Sequence, residues 1–228
     1  MCPAAYSRRM DLNPADCLAP AAFVDSEHPA VVAFAKRVTA EATTSRERAA
    51  ALFLAVRDGY RYDPYNTSYE PESFKASTVV GSERNWCVPK SVLLAAACRA
   101  AGLPAALGFA DVRNHLQSEK LSESMGTDVF AWHGYSTIWV DGLWHKVSSA
   151  FNVEMCERFG TKVLEWDGTG DALMHPFDAS GNRHMEYVRD RGVYVDLPLG
   201  SLLATFAVLY PNMAGTGAGS GDRDEMFD

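Results

Sequence analysis

Cys87 is the residue of this chain whose type and position best suit covalent chemistry. The segment that it opens predicts a helix, because Pro89 fits a first helical turn and Gly102 followed by Pro104 ends the pattern. The unpaired amides and the dipole at a helix N-terminus favour negative charge, so we expect the pKa of this thiol to be lowered, into the range of about 3.5 to 7.5. A thiol so placed is a candidate nucleophile, although the same residue could be a buried structural cysteine.

Two helices are predicted before this segment. One follows Ser26 and has Pro29 in its first turn. The second is capped by Thr44, with Glu47 three residues further on in a capping box, and ends near Gly59. We expect these helices to form one layer of the fold, and the chain from Tyr60 to Ser82 to be irregular.

Beyond Pro104 the pattern changes to strands. A first strand is predicted over 105–112, and the Asp141-Gly142 turn makes a hairpin of two more, 132–140 and 143–148. Helices followed by strands predict an α+β fold, with the N-terminal helices packed on an antiparallel sheet. The apolar spacing from Leu197 to Tyr210 predicts a further helix that either faces the core or caps it.

The composition describes an ordinary globular chain of 228 residues with 47% hydrophobic residues. We predict one catalytic domain over 1–212 and a disordered tail, rich in glycine and acidic residues, over 213–228. A net charge of -8 without a basic stripe argues against nucleic acid as a partner. No segment is long and apolar enough to predict a membrane span or a signal peptide.

The five cysteines show no spacing typical of a metal site or a disulfide framework. We therefore expect reduced thiols, a cytoplasmic location, and neither a metal nor a cofactor. The cysteines other than Cys87 are interpreted as bystanders: Cys2, Cys17, Cys98 and Cys156.

From Arg57 to Asn152 the chain resembles the transglutaminase-like cysteine acyl-transfer superfamily, which shares with papain-type enzymes a cysteine at a helix start followed by a histidine on a strand. The segments that carry it are Tyr60-Arg61-Tyr62, Trp86-Cys87, Arg99 to Ala105, Ala131-Trp132-His133 and Val140 to Trp144. The resemblance implies a transglutaminase-like (papain-like) fold in which Cys87 is the nucleophile and His133 its base.

The third member of a catalytic triad departs from the family pattern. The family's aspartate would fall at Val147-Ser148-Ser149, where this chain has none. An imidazole still needs a partner that fixes its tautomer and direction. Asp111 is our choice, because it ends a strand expected to neighbour that of His133. Asn152 and Ser148 are the alternatives.

The stretch from Gly108 to His115, with the order Cys, Asp, His, resembles the Dieckmann cyclases that release tetramate and pyridone natural products. That resemblance implies a β-ketoacyl-aminoacyl thioester delivered by an acyl-carrier or peptidyl-carrier protein. Their positive charge suggests that Lys90, Arg84 or the loop at Arg113 contacts such a carrier. A thiol amidase or peptidase, a transglutaminase-type amide-forming enzyme, and a non-catalytic binding member of the fold remain alternatives.

Further residues are expected around the nucleophile. The backbone amide of Cys87 and the side chain of Asn85 are candidate donors to an oxyanion. Aromatic residues could form the walls of a pocket that excludes water. The pocket candidates are Trp86, Phe109, His115 and Trp132, with Tyr60, Tyr62, Tyr65 and Phe130 as further aromatic neighbours.

Overall fold

The computed structural model describes residues 12–65, 67–115, 125–173, 180 and 185–210. They form an α+β fold in which helices pack on an antiparallel sheet, as predicted. The helices are α1 (Pro29–Val38), α2 (Ser45–Gly59), α3 (Ala76–Val79), α4 (Cys87–Ala100), α5 (Val153–Arg158) and α6 (Leu199–Leu209). The strands are β1 (Arg61–Tyr62), β2 (Arg84–Asn85), β3 (Ala105–Asn114), β4 (Val129–Val140), β5 (Leu143–Val147) and β6 (Met185–Tyr194). The predicted tail over 213–228 lies outside the described residues.

The first two helices begin where the sequence indicates. Pro29 occupies the first turn of α1, whose cap residue His28 accepts a hydrogen bond from the amide of Ala30. At the start of α2, Thr44 and Glu47 form both hydrogen bonds of the predicted capping box. Local signals therefore determine the starts of the outer helices.

Helix α4 is the centre of the molecule. Every residue from Cys87 to Arg99 is buried, because α1, α2 and α3 pack on the helix from one direction and β3 and β4 from another. The helix ends in a Schellman motif, in which Gly102 has a φ of 77° and the amide of Leu103 donates to the carbonyl of Cys98 at 2.9 Å. The packing of α4 on the sheet thus places the start of the helix against β4, the strand that carries His133.

The four-stranded sheet has the order β5-β4-β3-β6, and each adjacent pair is antiparallel. Strands β4 and β5 are joined by Asp141 and Gly142, with φ angles of 51° and 82°, which is the backbone of the predicted hairpin turn. Strand β6 was not predicted. It is a half-exposed edge strand, so charged residues interrupt its apolar alternation.

The chain from Tyr60 to Ser82 is not irregular, contrary to our prediction. It contains β1, which pairs in parallel with β2, a 3₁₀ turn over Pro71–Phe74, and α3. Each of these elements has two to four residues, too few for a hydrophobic period to be visible in the sequence. None of the helices in the described residues is long and apolar enough to cross a membrane.

Candidate active site

Cys87 and His133 line the same cavity, which has a volume of about 70 Å³. Cys87 is the first residue of α4, and His133 lies on β4 just before the part of that strand that pairs with β5. Only 6% of Cys87 and 4% of His133 are exposed. The aromatic walls of the cavity come from separate parts of the chain: Tyr62, Tyr69, Trp86, Phe130, Phe206 and Tyr210.

Gly134 allows the start of α4 to approach β4. A Cβ atom at this position would lie 3.1 Å from both the Cα of Val88 and the Oγ of Ser91. At this close approach, the backbone amide of Gly134 acts to lower the pKa of the Cys87 thiol, as do the amides of Val88 and of Cys87 itself. Sequence reasoning missed Gly134, although a glycine directly after a candidate catalytic histidine was the available signal.

The pKa of Cys87 is shifted in the opposite direction from our prediction. Burial raises the pKa of this thiol to about 11, and the three backbone amides, followed by the charge of Lys90, only partly oppose that shift. The helix start is thus favourable to a thiolate, as the sequence indicates, but removal of the thiol from water has the larger effect. At neutral pH, Cys87 is therefore a neutral thiol.

His133 is also neutral at rest. Burial lowers the pKa of its imidazole to about 4, so at neutral pH the ring can accept a proton. Its Nε2 atom is buried and has no hydrogen-bond partner among the residues that the structure describes. A neutral thiol beside a neutral imidazole can react by transferring its proton as the sulfur attacks.

None of the three candidates for the orienting role bonds to this imidazole in the described structure. The carboxylate of Asp111 accepts hydrogen bonds from the amide of Trp132 and from Arg191. The side chain of Asn152 accepts from the amide of Tyr62 and donates to Glu154. The hydroxyl of Ser148 is buried and finds no hydrogen-bond partner within the described ranges.

The other predicted site residues divide into two groups. Trp86 lines the cavity beside Cys87, whereas Asn85 turns its amide group to Ser82 at 3.3 Å. Phe109 and Trp132 pack on each other, with ring centres 5.3 Å apart, and do not line the cavity. His115 lies just after β3, 3.1 Å from Glu186 near the start of β6. The alternation of side chains along β3 and β4 accounts for the placement of Phe109 and Trp132. The position of His115 at a strand end accounts for its distance from the cavity.

The C-terminal helix closes one side of the cavity. Tyr210 accepts a hydrogen bond from the amide of Ala131 at 2.7 Å and donates one to the carbonyl of Val129 at 2.8 Å. Phe206 packs on Trp86, with ring centres 6.1 Å apart. The sequence predicted this helix but gave no sign that it reaches the site.

Lys90 is not a surface residue, contrary to our prediction of a carrier contact. It is fully buried, and its ammonium donates to the carbonyls of Arg57, Tyr60 and Ala150 at 2.6–2.9 Å. Burial lowers its pKa to about 7, while three carbonyl partners favour the form with three protons. Of the two other predicted contacts, Arg84 and Arg113 each keep 37% of the side chain exposed.

In the described part of the chain, no three histidine, cysteine, aspartate or glutamate side chains come together as metal ligands would. Cys17, Cys98 and Cys156 are buried and free, and they lie outside the cavity of Cys87.

The chain belongs to the transglutaminase-like superfamily, whose family model matches residues 32–149. The matched segment contains both Cys87 and His133. Membership supports a cysteine-dependent activity of the acyl-transfer or hydrolytic kind.

A crystal structure from Cytophaga hutchinsonii, described as a "putative cysteine protease", aligns with 82% of this chain and 49% of its own, at 14% identity and a TM-score of 0.49. The present chain therefore spans about half the length of that structure. A search of curated proteins found no match.

Proposed function

We propose that this protein forms a thioester acyl-enzyme on Cys87 and releases the acyl group by Dieckmann cyclisation, as a tetramate or a related ring. The observation that carries the proposal is the shared cavity of Cys87 and His133, whose walls are aromatic. An acyl-enzyme in such surroundings is shielded from water, and this favours attack by a carbon of the substrate itself over hydrolysis.

The first half of the reaction loads the enzyme. The Sγ atom of Cys87 attacks the carbonyl carbon of a carrier-bound β-ketoacyl-aminoacyl thioester, and His133 takes the thiol proton as the new carbon–sulfur bond forms. Backbone amides at the start of α4, that of Cys87 among them, donate to the oxyanion, and each such donor contributes roughly 100- to 1000-fold to the rate. The carrier thiol then leaves with the proton held by His133.

The second half closes the ring. The carbon between the two carbonyl groups of the acyl chain is acidic, and His133 removes its proton. The resulting carbanion attacks the thioester carbonyl, a carbon–carbon bond forms, and the thiolate of Cys87 leaves and recovers the proton from His133. Because the acyl chain is held in place, positioning of its carbon can supply about 7 to 11 kcal/mol of the barrier reduction.

Asp111 joins Cys87 and His133 in the proposed set through its hydrogen bond to the backbone amide of Trp132, next to His133, and not through the imidazole ring. The carrier would be an acyl-carrier or peptidyl-carrier protein that approaches the partly exposed Arg84 and Arg113. Arg84 is paired with Asp63 and Arg113 with Asp128, so the partner's acidic surface would contact the part of each arginine that stays exposed.

The test is product analysis with a small-thiol thioester of a β-ketoacyl-amino acid. The wild type is compared with Cys87→Ala and with Cys156→Ala, a matched loss of a buried cysteine outside the cavity. We expect a ring product without free acid from the wild type and Cys156→Ala, and none from Cys87→Ala. Free acid as the sole product would show that the enzyme hydrolyses the thioester and does not cyclise it. A ring product from Cys87→Ala would show that the thiol is not the nucleophile.

A further inference from the structure

Trp132, the residue before His133, has an unusual backbone conformation. Its φ angle is 60°, in the left-handed region that bulky side chains rarely adopt. Among the described residues, the other non-glycine position with positive φ is Asp141, where the hairpin turn requires it. The conformation of Trp132 therefore needs a separate explanation.

A β-bulge accounts for where this conformation occurs. Phe130 pairs with Val112 and His133 pairs with Ala110, so Ala131 and Trp132 both stand opposite the single residue Asp111. A bulge changes the direction of the side chains that follow it and is common beside active sites. Here the side chain that directly follows is that of His133.

Asp111 and Arg191 hold the bulge in place. The Oδ1 atom of Asp111 accepts the amide proton of Trp132 at 3.0 Å, and Arg191 donates to both carboxylate oxygens, at 2.5 and 2.9 Å. The guanidinium of Arg191 also lies 4.9 Å from the centre of a Trp132 ring. The exposed fractions of the Asp111 and Arg191 side chains are 8% and 12%, and charge-assisted bonds of this kind, made on two atoms, are strong and fix geometry.

The same contacts argue against direct action on the imidazole. Both oxygens of Asp111 are used by Arg191 and the amide of Trp132, and in the described part of the chain the Nε2 atom of His133 has no hydrogen-bond partner. The pair therefore contacts the backbone beside His133 and not its ring.

We propose that Arg191 and Asp111 are positioning residues that hold Trp132 in its left-handed conformation and thereby direct the imidazole of His133 at Cys87. This inference rests on the proposed function of His133 as the base. The inference assigns Arg191 a role in the site, although β6, the strand that carries it, contributes no residue to the cavity wall.

The experiment measures how fast a small acyl thioester acylates Cys87, by mass spectrometry, in Arg191→Gln and Arg189→Gln. Arg189 is the matched control, because it is an exposed arginine two residues earlier on the same strand. We expect Arg191→Gln to slow acylation by about 10- to 100-fold, as loss of positioning does, and Arg189→Gln to leave it unchanged. NMR titration should give the same pKa for His133 in both variants.

A second comparison, made in the Trp132→Gly variant, separates a loss of positioning from a general loss of structure. Glycine adopts positive φ without a steric penalty, so in Trp132→Gly the bulge no longer depends on the pair, and adding Arg191→Gln should cost less than about 3-fold more. An equal loss in both backgrounds, or a pKa of His133 that moves with Arg191→Gln, would overturn the inference. If Arg191→Gln does not fold, Arg191→Lys keeps the charge but loses the fork, and the same comparison applies.

The two proposals fail in different ways. Absence of acylation in the wild type would remove the proposed function. The positioning role would still be read from the ring resonances of His133, which Arg191→Gln should shift and Arg189→Gln should not. Unchanged His133 resonances in Arg191→Gln would contradict it.

Discussion

At the scale of residues, burial determines the resting state of the site. Cys87 has a pKa of about 11 and His133 a pKa of about 4, and in both cases loss of contact with water is the largest cause. The helix start and the amide of Gly134 favour a thiolate but do not produce one at rest. This arrangement favours proton transfer during attack over a preformed ion pair.

The buried imidazole should make stability depend on pH. The pKa of His133 is about 4 in the folded protein against an ordinary value of 6.5, so between these values the unfolded chain binds a proton that the folded protein does not. Its contribution is therefore fully present above pH 6.5 and is lost as the pH falls to about 4. We expect the difference in free energy of unfolding between the wild type and His133→Gln, from urea titrations, to change over this window. A difference that stays flat would contradict the burial.

Gly134 offers a second test at this scale. In Gly134→Ala, the new methyl group would meet the backbone of α4 at 3.1 Å, so the helix start and its thiol must move away from the amide of Gly134. We expect a loss of about 1–3 kcal/mol of stability, as overpacking produces, and slower acylation of Cys87. The control is Gly59→Ala, where a Cβ meets nothing within 4 Å. Equal behaviour of the two variants would show that the close approach is unimportant.

At the scale of elements, α4 is fixed by one buried cation three residues after the nucleophile. Lys90 joins the end of α2, through the carbonyls of Arg57 and Tyr60, to Ala150 beyond β5. These three contacts set the position of the helix that carries Cys87. They also explain why a lysine is tolerated at full burial.

Loss of Lys90 should therefore be costly. Lys90→Met keeps an unbranched side chain of the same volume class, one atom shorter, but leaves three carbonyls without their donor, and we expect a loss of about 3–5 kcal/mol in the free energy of unfolding. The exposed Lys36→Met serves as the control and should change stability by less than about 0.5 kcal/mol. Chemical denaturation measures both, and a similar small effect for Lys90→Met would contradict the structural role.

The sequence predicted elements with strong local signals and missed those defined by contacts. The proline in the first turn of α1, the capping box of α2, the glycine at the end of α4 and the Asp141-Gly142 hairpin follow from residue types that suit each conformation. Strand β6 and the bulge at Trp132 depend on pairing with β3, which no local pattern reveals. The pKa of Cys87 was predicted with the wrong sign because a helix start is visible in the sequence and its burial is not.

At the scale of the whole molecule, the site is assembled from distant parts of the chain. The family match ends at residue 149, yet Phe206 and Tyr210 from the C-terminal helix form part of the cavity wall. The hydroxyl of Tyr210 provides hydrogen-bond partners for backbone groups of β4 beside His133. Closure of the site therefore depends on a helix outside the segment that identifies the family.

Removal of the Tyr210 hydroxyl should let water reach the site while the protein stays folded. In Tyr210→Phe, the amide of Ala131 and the carbonyl of Val129 lose their partner, and we expect a cost of about 1–3 kcal/mol together with more free acid relative to ring product. The control is Tyr60→Phe, which removes a buried hydroxyl that bonds to the carbonyl of Val80 outside the cavity. An unchanged ratio of acid to ring in Tyr210→Phe would contradict a closing role for this helix.

The most direct test of the central claim is to locate the acyl group after a short exposure to an acyl thioester, by intact mass and peptide mapping. We expect one acyl group per molecule, on the peptide that contains Cys87, in the wild type and in Cys156→Ala, and a rate at least about 100-fold lower when His133 is replaced by alanine. Acylation elsewhere in the chain, or a rate that does not depend on His133, would contradict a Cys87–His133 catalytic pair.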